Sequence, residues 1–264
     1  MGISHPYTRK LRVCCDSFKG KVISMKKEKT KMSRRKKVVI AVIAAVVAVA
    51  VVGGGIFYCT FFPNPLAKKI SVSDISAGTM SVTGESNVLV AYFSLTNNRV
   101  YTADEMDAVS SASLKIEDGT GYGHAELLAL AAQEVTGGDV FPIKVSDLYP
   151  ETYGGAFDRH HSEMGTSLRP ELTEHLKSVE NYDTVIIIYP NWLSSMPLPV
   201  LSFLEEYDFS GKTVIPIATS QALGLGSGPE QIAAACPDAV VADGLSAKSE
   251  DSVKEFLIKA GLTK

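Results

Sequence analysis

Two hydrophobic patterns divide the chain. The first is an uncharged run from Val38 to Phe62, "VVIAVIAAVVAVAVVGGGIFYCTFF". The second starts at Asn87 and alternates short apolar runs with amphipathic ones to the C-terminus. "NVLVAYFS" reads as a buried strand ending at Ser94. "HAELLALAAQEV" sets Leu127, Leu128, Ala131 and Val135 at helical spacing, and Gly137-Gly138 stops it. "DVFPIKV" is a strand whose proline suits an edge. "RPELTEHLKSV" aligns Leu172, Leu176 and Val179 with the preceding Leu168, which predicts a helix with Pro170 in its first turn. "DTVIIIYP" is the most apolar strand and is predicted central, covered on both faces.

The alternation continues. "PLPVLSFLEEY" is helical after its prolines, "KTVIPIAT" is a strand, and "GPEQIAAAC" is a short helix ended by Pro237. "AVVADGLSA" holds the last strand. "SEDSVKEFLIKAG" is the closing helix, capped by Ser249 and ended at Gly261. Five strands alternating with five helices predict an α/β fold, a doubly wound parallel sheet with helices on both faces. Such sheets bind ligands at the carboxyl ends of their strands, where the winding direction changes. Functional residues are therefore expected in the loops from Ser94, from Pro190 to Met196, and from Thr219 to Gly228.

The Val38–Phe62 run has about 25 residues, enough to cross a bilayer core of roughly 30 Å. It is too long for the apolar part of a cleaved signal peptide. Tyr58 is bulky for a lipoprotein site at Cys59, and a triple glycine does not suit a buried core helix. "KKEKTKMSRRKK" precedes it, so the N-terminus is expected in the cytoplasm and the folded domain on the outer face of the cell membrane. The expected organisation is a basic cytoplasmic tail at 1–37, a single-pass transmembrane helix at 38–62, a linker at 63–86 and a folded domain at 87–264. Within the linker, Pro63–Glu85 reads as a tether of Pro, Ser, Gly and Thr. Met25 or Met32 is an alternative start, since "MSRRKK" runs straight into the anchor.

Charge sharpens this division. Half of the 26 Lys and Arg precede Val38, against only Asp16 and Glu28, so the rest carries about −14. An acidic domain argues against nucleic acid as a partner, because phosphate contacts need Lys and Arg. The cysteines Cys14, Cys15, Cys59 and Cys236 have neither zinc spacing nor a disulfide-framework pattern.

The three loops share a chemistry. Ser94-Leu95-Thr96-Asn97-Asn98 is rich in hydroxyls and amides. An insert follows to about Gly119, and "GTGYGHAE" then reads as a glycine-rich turn feeding a helix N-terminus, a ready anion site. The third loop carries Trp192, the only tryptophan, between Pro190 and Pro197. The fourth, "TSQALGLGSGPE", lets backbone approach a flat ligand closely. An anion cradle beside an aromatic turn and a glycine-rich loop suits a ligand with a phosphate at one end and a planar ring at the other. On this reading Trp192 stands outside the core to cover that ring.

These residues resemble the flavodoxin-like family, in its branch with an insert in the first phosphate-binding loop. The resemblance runs from about Asn87 to Lys264. "AYFS" matches at Ala91–Ser94, and Gly123-His124-Ala125-Glu126 stands where the family has Gly-Asn-Thr-Glu. Tyr189, Pro190, Trp192, Met196 and Pro197 match the third-loop pattern. "FLEEYDFSGKTVIPIATS" and "GLGSGPEQI" match the segments that follow. The resemblance implies strand order 2-1-3-4-5 and FMN as cofactor. The phosphate would lie on Ser94, Thr96, Gly123, His124 and Ala125. The ring would lie between Pro190, Asn191, Trp192, Leu193 and Ser194 on one side and Thr219, Ser220, Gly224 and Gly226 on the other. His124-Ala125 removes one phosphate hydroxyl, and Ser194 or Ser195 replaces a small glycine whose peptide could turn freely.

The resemblance implies an electron-transfer flavoprotein with a redox partner that the sequence leaves open, and the apolar run at 38–62 adds the expected membrane anchor. Two alternatives stand beside it: an FMN-dependent NAD(P)H oxidoreductase acting on a quinone or other small acceptor, and a flavin-free binding module. His160 and His161 read as surface histidines of a polar loop, Tyr149 and Tyr153 as structural residues, and Cys236 as a small buried one.

Overall fold

The computed structural model describes residues 69–107, 114–219 and 223–264. The tail and the apolar run at 38–62 lie outside them, and no helix among the described residues is long and apolar enough to cross a membrane. In chain order the strands are β1 (Lys69–Ser71), β2 (Val88–Tyr92), β3 (Glu105–Asp107), β4 (Leu114–Glu117), β5 (Thr120–Gly123), β6 (Asp139–Pro142), β7 (Thr184–Pro190), β8 (Thr213–Thr219), β9 (Val240–Val241) and β10 (Leu245–Ala247). The helices are α1 (His124–Thr136), α2 (Tyr153–Glu163), α3 (Leu198–Glu206), α4 (Gly228–Ala235) and α5 (Glu250–Lys259).

The main sheet is parallel and runs β6-β2-β7-β8-β10, with β9 pairing the start of β8 on the same edge as β10. Counted along the chain this is the expected 2-1-3-4-5. β7 is central and buried from Val185 to Pro190, because Val and Ile fill both of its faces. Alternate residues supply two cores. Leu89, Ala91 and Phe93 join Val185, Ile187 and Tyr189 beneath α3 and Ile232 of α4. Val90 and Tyr92 join Ile186 and Ile188 beneath α1 and α5. Pro142 sits in β6, the edge strand, where its missing N–H costs no ladder bond. Ser249 caps α5 with a capping box to Ser252, and Gly261 follows at φ 78°.

Three expectations are corrected. No helix forms over 169–179. That stretch runs irregularly over the first core, burying Leu172, Leu176 and Val179 but leaving Leu168 exposed. Its backbone pairs instead with the extension of the edge strand, Ser146 N donating to Glu171 O and Thr173 N to Lys144 O. The helix lies earlier, at α2, and carries His160 and His161 rather than leaving them in a loop. The expected glycine-rich turn before α1 is the second strand of a hairpin, β4-β5.

The third correction concerns the tether. From Lys69 onward it lies against the domain. β1 pairs with β3, and Ser81 bridges Val140 on the free edge of β6. Two buried carboxylates clasp this strap. Glu126 Oε1 accepts from the hydroxyls of Ser76 and Thr79 and from Thr79 N, at 2.6, 3.0 and 2.9 Å. Asp139 accepts from Thr83 N, Thr83 Oγ1, Gly84 N and the Tyr182 hydroxyl.

Candidate functional site

The loops leaving β2, β7 and β8 meet at the carboxyl ends of adjacent strands. After β2 the chain turns through Leu95–Asn97. Asn98, fully buried, fixes this turn. Its amide nitrogen donates to Ser94 O and Ile143 O, and its Oδ1 accepts from Val145 N. Tyr101 donates its hydroxyl to Thr96 O. Ser94 and Thr96 are thereby buried beside the start of α1.

The start of α1 is open to an anion. Its N-cap is Gly123, and no side chain caps the first turn. The uncapped helix N–H groups and the dipole both favour negative charge there. A Cβ on Gly123 would lie 1.8 Å from Ser94 Oγ and 3.1 Å from Thr96 Oγ1, so only glycine lets the hydroxyls approach this closely. Ser94 Oγ and His124 Nε2 are buried with no protein hydrogen-bond partner. Buried polar atoms are ordinarily paired, so these two fit a ligand with acceptor oxygens. Burial, and next the Lys115 ammonium, push the His124 imidazole below its usual range, against Glu250. Lys115 and Glu250 form an ion pair of 2.6 Å beside it.

The third loop is a tight turn. Trp192 N donates to Ser195 O and Ser195 N to Trp192 O, at 3.0 and 2.9 Å. Leu193 and Ser194 between them have φ of 51° and 66°. Two consecutive left-handed residues define a type I′ turn, which glycine and asparagine favour. Each non-glycine residue there costs about 1–2 kcal/mol. The surroundings hold the strain. Ser194 O accepts from Ser227 N at 2.7 Å and from Ser227 Oγ at 2.8 Å. Met196 N donates to Gln231 Oε1. Gly226 packs so tightly that a Cβ would lie 2.5 Å from Ser194 O.

The fourth loop is stapled to the third. Asn191 N donates to Thr219 O, and its Nδ2 to Leu223 O and Gly224 O. Asn191 Oδ1 is buried without a partner. The hydroxyl of Tyr189 donates to Leu225 O. Gly224 and Gly226 both have φ of 60° and hold this loop's sharp course.

The structure thus gathers Ser94, Thr96, Gly123, His124 and Ala125 at one helix start. It gathers Pro190, Asn191, Trp192, Leu193, Ser194, Thr219, Gly224 and Gly226 at the neighbouring strand ends; Ser220 lies outside the described residues. Trp192 does not stand clear of the core. Its half-buried indole meets Phe93, Tyr149 and His160 edge-on, at 5.7, 5.4 and 5.2 Å between centroids. Leu193 is the exposed apolar residue of the turn, at 40%.

The roles of Asn98, Ser227, Gln231 and His160 escaped the sequence reading, and His160, expected at the surface, is buried against the Trp192 turn. Their roles depend on where loops meet, and only the "NN" and "SGPEQ" runs hinted at the first three. Among the described residues no cluster of His, Cys, Asp or Glu could hold a metal ion.

Comparison with known proteins adds an independent line. A model of the Flavodoxin family matches residues 118–260, more than half of the chain. The match includes β5 to α5, and with them Gly123, Trp192 and Gly226, but not Ser94 and Thr96. A candidate flavoprotein from Bacteroides eggerthii superposes with TM-score 0.50 at 25% identity, covering 67% of this chain and 99% of its own. One from Bacteroides uniformis gives 0.50 and 25%, with 66% and 98% covered. A flavoprotein in complex with FMN from Lactobacillus acidophilus gives 0.45 and 16%, with 64% and 99% covered. No curated protein matches the sequence.

Proposed function

The chain belongs to the flavodoxin family, and from that premise we propose that it binds FMN at the carboxyl ends of β2, β7 and β8 and works as an electron-transfer flavoprotein. The observation that carries this reading is the uncapped start of α1 beside the buried, unpartnered Ser94 hydroxyl, a close approach that glycine at 123 permits. Ser94, Thr96 and the N–H groups of His124 and Ala125 would hold the phosphate. The Trp192 turn and the loop at Gly224–Gly226 would hold the ring. Bound flavin supplies one-electron and hydride chemistry; the protein supplies orientation and exclusion of water.

The acidic domain charge supports a basic redox partner or a small acceptor rather than nucleic acid. The uncharged run at 38–62, with its basic flank, supports a membrane-anchored protein whose flavin domain faces outward.

Fluorescence titration of the chain with FMN and with riboflavin tests the site. FMN is expected to be quenched far more tightly than riboflavin. Ser94→Ala is expected to weaken FMN by about tenfold or more, the loss of one hydrogen bond to a charged oxygen, and to leave riboflavin unchanged. Absence of quenching by either flavin sinks the proposal.

A further inference from the structure

The strained turn at Leu193–Ser194 is held from two sides. On one side Ser227 of the fourth loop binds the carbonyl of Ser194, and Gln231 of α4 binds the amide of Met196 just after the turn. On the other side stands α2. His160, only 2% exposed, places Nε2 3.0 Å from the carbonyl oxygen of Trp192. That oxygen is the acceptor which closes the turn with Ser195 N. Its only possible role toward His160 is again acceptor, so Nε2 must carry the proton.

The other ring nitrogen fixes the charge state. His160 Nδ1 is buried with no hydrogen-bond partner. An imidazolium would bury an unmatched N–H there, which is costly. Burial accordingly pushes the His160 imidazole below its usual range, outweighing the pull of the Trp192 carbonyl and of Glu163; His161 adds to the lowering. The helix that carries His160 is itself braced. Glu163 accepts from the Tyr149 hydroxyl and from Arg159 Nε, and Arg159 lies over the Tyr149 ring at 4.1 Å. Tyr149 packs against the indole of Trp192. The turn, the indole and α2 therefore form one contact group.

We propose that His160 is a positioning residue: as a neutral imidazole donating Nε2–H to the Trp192 carbonyl, it holds the Leu193–Ser194 turn in its left-handed conformation and so sets the ring-binding wall of the site. It touches no ligand itself. What the wall binds rests on the flavin reading above; that His160 holds the turn does not.

The test uses two amides in the full-length chain. Gln reaches the position of Nε2 and Asn falls short by one methylene, so loss of the donor separates them, and the tautomer of the wild type separates that loss from a packing effect. Trp192, the sole tryptophan, reports the turn without any flavin. H160Q is expected to match the wild type in acrylamide quenching of Trp192. H160N is expected to raise quenching at least about twofold and to weaken FMN and riboflavin by similar factors, about tenfold, the loss of one hydrogen bond. Equal behaviour of the two variants overturns the proposal. So does a Nδ1–H tautomer or an imidazolium for His160 in the nitrogen spectrum of wild-type protein at pH 7, a measurement that needs no variant to fold. If the wild type binds neither flavin, the flavin reading fails alone, and quenching and tautomer still decide for or against His160.

Discussion

At the scale of single residues, His124 is the sharpest departure from the pattern that the rest of the site follows. It occupies the first position of α1, in the cradle proposed for the phosphate, and its Nε2 has no partner. Burial and Lys115 hold its folded pKa below 6.5. A depressed histidine contributes stability above the unfolded value of about 6.5 and loses it as pH falls through the folded one. An anion bound beside it acts in the opposite direction, favouring imidazolium. Binding of FMN should therefore take up protons near pH 6.5. Calorimetry in two buffers of different ionisation enthalpy is expected to show uptake that shrinks in His124→Ala and is absent with riboflavin. Uptake unchanged by the substitution would assign the proton to the phosphate instead. The meeting of Ser94, Thr96 and Gly123 at one helix start was legible in the sequence, because hydroxyls and glycine stand out by residue type. The role of Asn98 was not, because two of its three side-chain hydrogen bonds reach Ile143 and Val145, more than forty residues away.

At the scale of elements, periodicity succeeded where a stripe faced one core and failed where two features competed. β7 is read correctly because its unbroken apolar run is covered on both faces, and α5 because its apolar residues meet a single core. Leu168, Leu172, Leu176 and Val179 have helical spacing, yet 171–173 is recruited by the unpaired edge beyond β6, and backbone pairing outweighs the pattern. The reverse happened at α2, where "YGGAFDRHHSE" carries two glycines and no apolar stripe. Gly155 is required: a Cβ there would lie 2.7 Å from the Pro150 side chain. The signal that was present is Thr152, whose hydroxyl accepts from Gly155 N as an N-cap.

The strap also belongs to this scale, and Asp139 is its clasp. Burial alone would raise the Asp139 carboxyl, but hydrogen bonds from Thr83, Gly84 and Tyr182 hold it below the usual carboxylate range. Its contribution is present above about pH 3.8 and is lost as pH falls through the folded value. Asp139→Asn is expected to cost about 1–3 kcal/mol in denaturant unfolding and to speed amide exchange at 81–84. It should also flatten the acid limb of stability. Unaltered exchange at the strap would show that its other contacts suffice.

At the scale of the molecule, the strap decides where the folding unit begins. The family match starts at residue 118, and composition placed the domain boundary at 87. Yet Glu126 and Asp139 are both fully buried, and their partners in 76–84 come from before that boundary. Removing 69–86 would leave two buried carboxylates short of most of their donors. Breaking such a buried arrangement costs about 3–5 kcal/mol, a large part of the roughly 5–15 kcal/mol that holds a domain folded. A fragment of residues 69–264 is therefore expected to melt cooperatively. One of residues 87–264 should melt about 10 °C lower or more, given the usual sensitivity of a chain this size. Equal melting temperatures would return the strap to the role of a loose tether.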